Sequence, residues 1–455
     1  MSDIIASVSG VRGILGDNLT PINIIKFTSA FIKYCKKNSK SNHIIVGNDG
    51  RLHGRLIADI VLSTISMSGY KAIDIGVVPT PTVQIATEDT KAAGGIAITA
   101  SHNPQIWNGL KFLNPNGTFL DGEQIKQVIE FGKTSEFDYS GIADIKPIVS
   151  DYSWLQKHID KVLKLKSINI SKIKKRKFKI VVDAVNASGS YVVPVLLQKL
   201  GCKVIELFCD GSGIFPHTPE PLPQNLTLLC SAVKKHKADL GISVDPDSDR
   251  LVIITEKGEP FIEENTVTTV IRNILKNTKS KIKNVSVNLS TTRAVDDVAK
   301  EFGGKVFRSP VGEINVVKEM KRNKSIAGGE GSGGVIIPEL HYGRDAIIGI
   351  AIVLQEFADF KGKISDYKNS LPQYYISKAK FDVKGNPDKV LQKVISKFKN
   401  QNCKITTKDG VKLDFPDYWI HMRKSNTEPI IRIIVEARSK EEAEKIQKNL
   451  KGFLS

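Results

Sequence analysis

Strand-length apolar runs alternate with helical patterns along this chain, and the alternation restarts twice. The run at residues 44–47 precedes a helical stretch from 51 to 67, and 72–76 follows as another strand. Residues 178–183 open a second unit, with 204–208 and 240–244 behind it. A further unit begins near 251–254, with 285–288 and 305–307 as later strands. Helical crossovers between short strands point to an α/β fold class. Breaks near residues 150 and 255 divide the chain into three successive α/β units, 1–150, 151–254 and 255–364. The tail, 365–455, differs. It holds a strand at 430–437 and a helix from 439 to 450, opened by a Ser439 cap with Glu442 at the capping-box position. A smaller α+β domain is expected there.

At 455 residues the chain is too long for one ordinary core. Its hydrophobic fraction of 41% and charged fraction of 25% are those of a globular protein, and no apolar run approaches the roughly 18 residues a membrane span needs. The first residues lack a basic segment followed by a long apolar one, so no secretory signal is read. Five scattered cysteines, an odd count without a C-x-x-C pair, suit unpaired thiols in the cytoplasm. The net charge of +18 raises nucleic-acid binding as a class. The lysines are spread over many segments, however, and no zinc-knuckle or RNA-binding motif accompanies them. Neither nucleic acid nor membrane is expected as a partner; the basic surface favours anionic substrates.

Ser101 stands in Thr99-Ala100-Ser101-His102-Asn103-Pro104, just past an apolar run at 96–98 and before a turn. A hydroxyl there, flanked by a histidine and an amide, suits carriage of a phosphoryl or acyl group, although serine before a turn also serves plain backbone hydrogen bonding. Asp245-Pro246-Asp247-Ser248-Asp249-Arg250 directly follows the strand ending at Val244. Three carboxylates at alternating positions repel one another unless a cation sits between them. Turned inward, they offer hard oxygen ligands for a divalent ion. An EF-hand loop needs Gly where Arg250 stands, so a Mg²⁺ site with open positions for phosphate oxygen is preferred over a solvated acidic turn. In residues 328–334, five glycines surround Glu330 and Ser332 and let the backbone come close to a ligand. A carboxylate plus a hydroxyl suits a neutral polyol better than an anion. Arg423-Lys424-Ser425-Asn426-Thr427-Glu428-Pro429, with Arg432 beyond, has the composition of a phosphate-binding turn. Arg12 lies between glycines near the start, and Lys111 is a candidate to orient, or exchange protons with, a reacting hydroxyl.

Taken together, these residues resemble those of the α-D-phosphohexomutase superfamily (phosphoglucomutase, phosphomannomutase and phosphoglucosamine mutase), in an archaeal-type form. Four family loops occur in the family's order: the phosphoserine loop at 99–104, the metal loop at 245–250, the sugar loop at 329–333 and the phosphate loop at 423–429. Gly10-Val11-Arg12-Gly13, Pro79-Thr80-Pro81 and Phe215-Pro216-His217-Thr218-Pro219-Glu220-Pro221 match as well, so the resemblance spans essentially the whole chain. It implies four domains around a central cleft, the first three sharing a mixed α/β topology. It implies that Ser101 is phosphorylated in the active enzyme. Asp245, Asp247 and Asp249 would bind one Mg²⁺ per chain together with a phosphate oxygen on Ser101. Arg250, Arg12, His102 and Lys111 would surround the transferred group, with Lys111 the first choice for proton transfer. Glu330 and Ser332 would contact sugar hydroxyls, and Arg423, Ser425, Asn426, Thr427 and Arg432 the non-reacting phosphate. The implied reaction interconverts hexose 1- and 6-phosphates, with a hexose 1,6-bisphosphate as intermediate and activator, in a monomer or homodimer.

The chain also departs from the family pattern. Gly334 stands where several bacterial relatives have His, and Gly331 replaces a Met, Glu or Gln. Arg344-Asp345 is followed by Ala346 where Gly is frequent, and Asn48-Asp49-Gly50-Arg51 only loosely resembles Gly-Arg-Asp-x-Arg. These changes bear on sugar preference, not on reaction class. A pared-down sugar loop fits relaxed specificity, with glucose, mannose and glucosamine phosphates all open. The competing readings are a dedicated phosphoglucosamine mutase, a metal-dependent sugar phosphatase, and a basic nucleic-acid-binding protein on an inert scaffold.

Overall fold

In the computed structural model, which describes residues 5–7, 10–134, 136–383, 385–424 and 430–454, the strands form four separate sheets. The first contains β1 (Ile5–Ser7), β2 (Gly10–Ile14), β3 (His43–Asn48), β4 (Lys71–Val77), β5 (Gly94–Ile98), β6 (Trp107–Leu113) and β7 (Ile148–Ser150), in the order β1-β2-β6-β5-β3-β4-β7. The second contains β8 (Lys179–Asp183), β9 (Lys203–Phe208), β10 (Leu240–Val244) and β11 (Leu251–Thr255), in the order β11-β10-β8-β9. The third contains β12 (Asn284–Asn288), β13 (Lys305–Ser309), β14 (Ala327–Glu330) and β15 (Gly334–Ile336), in the order β13-β12-β14-β15.

Without β1, β2 and β7, the first sheet reads β6-β5-β3-β4, and one plan then serves all three. The first strand of each lies between two parallel neighbours, and the last pairs antiparallel with the third. Val46, for example, pairs with Asp74 on one side and Ile96 on the other. Helices cross between the parallel strands, such as Gly54–Met67 and Thr80–Asp89 in the first unit. They cover the sheet faces, which is why β5 and β10 are buried along their whole length and read as near-continuous apolar runs, broken in β10 only by Ser243. No helix joins the third strand to the fourth, so the chain must turn back antiparallel.

That rule corrects one expectation. Residues 251–254, expected to open a third unit, are instead the antiparallel partner of β10 and belong to the second sheet. The turn 245–250 is too short for the dozen or so residues a parallel crossover requires. The plan also places the turns 99–106, 245–250 and 331–333 at equivalent corners of their three sheets.

The fourth sheet is antiparallel throughout: β16 (Tyr375–Asp382), β17 (Lys404–Thr406), β18 (Val411–Asp414), β19 (Trp419–Lys424) and β20 (Ile430–Ala437), in the order β16-β20-β19-β18-β17. The helix Lys440–Leu454 packs on β16 and β20. Ser439 Oγ accepts from Glu442 N at 3.2 Å, as a cap should, while the Glu442 carboxylate reaches back to Arg438 N.

The helix Ala346–Asp359 is apolar on nearly all sides, as a helix buried on every face must be. It lies in one continuous apolar cluster that includes Val244 of the second sheet and Val287 of the third. The first and fourth units have cores of their own. The fourth meets the third through polar contacts. Arg293 donates to the carbonyls of Phe415 and Pro416, both at 2.8 Å, and Ser290 bonds His421 at 2.8 Å. All five cysteines are free thiols, and no described helix is long and apolar enough to cross a membrane.

Candidate active site

Ser101 sits in the turn after β5 with φ +51°, a left-handed conformation that costs a non-glycine residue about 1–2 kcal/mol. What holds the turn is a buried guanidinium. Arg51 donates through NH2 to the carbonyls of Ser101 (2.6 Å) and Asn103 (2.9 Å), and through NH1 to those of Pro104 and Trp107 (both 3.0 Å). Its Nε pairs with Asp49 at 3.0 Å, so every donor of the rigid fork is used. Ser101 N donates to Thr99 Oγ1 at 2.8 Å. The Ser101 hydroxyl lies 3.3 Å from Asp245 Oδ2 and 3.3 Å from His102 Nδ1. Burial, together with Arg250 and Arg12 nearby, holds His102 well below the usual histidine range. Arg12 donates to Asn103 Oδ1 at 3.3 Å.

Asp245, Asp247 and Asp249 occupy the hairpin between β10 and β11 and are all fully buried, with one oxygen of each within 4.8 Å of the others. Each carboxylate has one oxygen committed to the protein. Asp245 Oδ1 accepts from the backbone N–H groups of Asp249 and Arg250, both at 3.1 Å. Asp247 Oδ2 accepts from Lys111 Nζ (2.6 Å) and Thr80 Oγ1 (2.8 Å), and Asp249 Oδ2 from Arg344 NH2 (2.5 Å). The second oxygens are left over. Oδ1 of Asp247 and Oδ1 of Asp249 are buried without a hydrogen-bond partner, and Asp245 Oδ2 faces the Ser101 hydroxyl. A set of hard oxygens held in place on one side and unsatisfied on the other fits a divalent cation. The charges are uneven. Burial and repulsion from Asp249 and Asp247 push Asp245 well above the usual carboxylate range. Burial acts on Asp247 too, but Lys111 and Thr80 outweigh it and hold it low.

The loop 329–333, expected to contact a sugar, is the tip of the β14–β15 hairpin. Glu330 is 4% exposed and engaged by the protein on both oxygens: Oε2 by Arg344 NH1 (2.6 Å), Oε1 by Asn288 Nδ2 and Gly312 N (both 2.8 Å). Burial opposes its charge, yet Arg344 and Asn288 keep its pKa below the ordinary value. Arg344 therefore joins Glu330 to Asp249, and its Nε also lies 3.2 Å from Glu313. Gly334 makes room for it, since a Cβ there would lie 2.3 Å from Arg344 Cδ. Ser332 is half-buried beside them.

In the fourth sheet Arg423 and Arg432 are register partners on adjacent strands, with Arg423 Nε 2.8 Å from Asp409. Ser425, Asn426 and Thr427 lie outside the described residues. One cleft of about 980 Å³ is lined by residues from all four units. Arg12, Ser101, His102 and Lys111 come from the first and Arg250 from the second. Glu330 and Ser332 come from the third, Arg423 and Arg432 from the fourth.

Reading the sequence missed several contributors. In the sequence Arg51 carries only a loose family match, Arg344 stands out only for the alanine after its neighbour, and Thr80 only as part of a matching tripeptide. Glu220, 3.8 Å from both His102 and Arg250, was noted only within its segment. Glu264 was not noted at all.

Four family profiles match consecutive parts of the chain. They are described as phosphoglucomutase/phosphomannomutase alpha/beta/alpha domain I (residues 4–138), domain II (156–258), domain III (263–375) and C-terminal domain (379–452). A phosphoglucomutase/phosphomannomutase of Thermococcus kodakarensis is 36% identical over 95% of this chain and 94% of its own length. A probable phosphoglucosamine mutase of Methanopyrus kandleri is 33% identical over 96% of this chain and 95% of its own. The crystal structure of a phosphoglucomutase/phosphomannomutase family protein from Burkholderia thailandensis superposes with a TM-score of 0.85 at 24% identity, covering 98% of this chain and 96% of that one, a likeness of fold.

Proposed function

The chain belongs to the phosphoglucomutase/phosphomannomutase family of phosphohexomutases, and from that premise we propose that it interconverts the 1- and 6-phosphates of hexoses through a phosphoserine at Ser101 and a bisphosphorylated sugar. Glucose and mannose phosphates are the proposed substrates, with glucosamine phosphate a second. One observation carries the reading. The Ser101 hydroxyl stands 3.3 Å from Asp245, beside two buried carboxylate oxygens without partners, in a cleft that also holds Glu330, Ser332, Arg423 and Arg432.

Asp245, Asp247 and Asp249 would hold Mg²⁺ together with a phosphate oxygen on Ser101; when bound, the ion offsets charge on the transferring phosphoryl group. Arg51 fixes the turn, so Ser101 presents its oxygen with little freedom left to lose. Arg12 and Arg250 bring cationic charge to the transferred group. Lys111, held as a cation by Asp247, orients the reacting hydroxyl and steadies the charge that develops on its oxygen. Arg423 and Arg432 grip the phosphate that does not react. Transfer from Ser101 makes the bisphosphate, which turns around and returns its other phosphate to the serine. Contacts from Glu330 and Ser332 serve both orientations. The polar seam between the third and fourth units suits the opening such a turn requires.

A coupled assay with glucose, mannose and glucosamine phosphates, with and without a bisphosphate activator, tests the reading against Ser101→Ala. The wild type is expected to release isomerised sugar phosphate, and Ser101→Ala to fall to background. Full activity in the variant, or inorganic phosphate as the main product, overturns it.

A further inference from the structure

Beneath the sugar loop lies a carboxylate that the reaction described above does not use. Glu264 stands in the first turn of the helix Glu263–Asn277, is 7% exposed, and lines the cleft with Gly331 and Ser332. Thr292 N donates to its Oε2 at 3.0 Å. The carboxylate fills the space that Gly331 leaves: a Cβ at Gly331 would lie 2.2 Å from both of its oxygens. A larger residue at 331 and Glu264 in this position exclude each other, so the glycine and the glutamate are one device.

No cation among the described residues pairs with it. Lys378, the cation that most offsets it, makes its ion pair with Glu263 instead, at 3.1 Å. Arg344 is taken by Asp249, Glu330 and Glu313. Among the described residues Glu264 has no ion-pair partner. Burial, with Glu263 adding repulsion, raises its pKa to about 8, so in the empty cleft the group is largely protonated at neutral pH and gives its proton up when a cation arrives beside it. A buried carboxylate facing a ligand cleft without a cation is best satisfied by a cation on the ligand.

We propose that Glu264 is a specificity-determining residue of the sugar subsite, and that it pairs with the ammonium group of a hexosamine phosphate. The proposal rests on the mutase reading for the identity of the subsite. A neutral hexose offers only a hydroxyl at the same place, which bonds the protonated acid and gains nothing from its ionisation. Glu264 therefore shifts the protein's selectivity toward the aminosugar phosphate.

The test compares glucosamine and glucose phosphates on the wild type, Glu264→Gln and Gly331→Ala, with folding checked by thermal midpoint. The ratio between the two sugars is read twice, from kcat/KM on the 1-phosphates and from calorimetric affinity for the 6-phosphates. Glu264→Gln removes the charge at constant shape and is expected to lower the aminosugar-to-neutral ratio at least about tenfold, the worth of one charge-assisted hydrogen bond. Gly331→Ala displaces the carboxylate and is expected to move the ratio the same way; it decides the matter if the first variant does not fold. An unmoved ratio in a folded variant with turnover intact overturns the role of Glu264 and leaves the mutase reading standing. A moved affinity ratio with no isomerised product from either sugar does the reverse.

Discussion

The turns 245–250 and 331–333 leave equivalent corners of two sheets built on one plan, yet they are furnished in opposite ways. The turn 245–250 carries its chemistry in its own side chains: three aspartates, each steadied on one oxygen and open on the other. The turn 331–333 is two glycines and a serine, and the groups around it arrive from elsewhere. Arg344 comes from the segment before the helix Ala346–Asp359, and Glu264 from the start of another helix. Each occupies volume that a glycine gives up, Arg344 at Gly334 and Glu264 at Gly331. A hairpin corner can thus hold a site by the residues it contains or by those it lets in. The first arrangement suits a charge set that must stay fixed; the second suits a subsite whose preference is set from outside the loop.

The largest effect is expected where the chemistry is local. Asp247→Asn removes a proposed ligand and the partner of Lys111. Its kcat is expected to fall about a thousandfold or more, as when a charge-stabilising group is lost from phosphoryl transfer. Magnesium titration of the residual activity checks that the ion's affinity falls with it; a near-wild-type rate would show that the corner does not work as a metal site.

A smaller loss is expected at the imported side chains. Gly334→Ala adds a Cβ against Arg344 Cδ and should push the guanidinium off Asp249 and Glu330. About a tenfold drop in kcat/KM is expected, near 1.4 kcal/mol. Steady-state kinetics that match the wild type would mean that Arg344 is not needed where it sits.

The smallest effect on catalysis is expected next door, at Asp345, where the role is structural. Its Oδ1 caps the helix through Ile347 N at 2.7 Å, and its Oδ2 meets His158 and His341 at 2.9 and 3.2 Å. Burial opposes its charge, but the two histidines outweigh it and hold its pKa below the ordinary value. A carboxylate with a depressed folded pKa contributes stability that is present above its unfolded pKa of about 3.9 and lost as pH falls through the folded one. Asp345→Asn is expected to cost about 2–3 kcal/mol at neutral pH with little change in kcat. Thermal midpoints measured from about pH 7 to about pH 3 should fall less steeply for the variant than for the wild type. Parallel curves would remove Asp345 from the acid response.

The same contrast explains what could be read in the sequence. The strand runs, the three-aspartate turn and Ser101 were legible because period and local composition carry them. Arg51 was not, since nothing in Asn48-Asp49-Gly50-Arg51 shows that its guanidinium will hold four carbonyls of a turn some fifty residues later. Glu264 and Arg344 were hidden for the same reason. The glycines that admit them showed as departures, but a missing side chain does not name its replacement. The strand at Leu251–Thr255 was placed in the wrong sheet because its apolar pattern is silent about direction; the short turn before it was the better guide.

Locating the phosphoryl group on the protein tests the central claim most directly. The enzyme is treated with a hexose 1,6-bisphosphate, and its peptides are analysed by mass spectrometry before and after a chase with hexose monophosphate. The expected result is one phosphate on Ser101, lost on the chase as bisphosphate appears. A phosphate on another residue, or steady mutase turnover with Ser101 never modified, would contradict it.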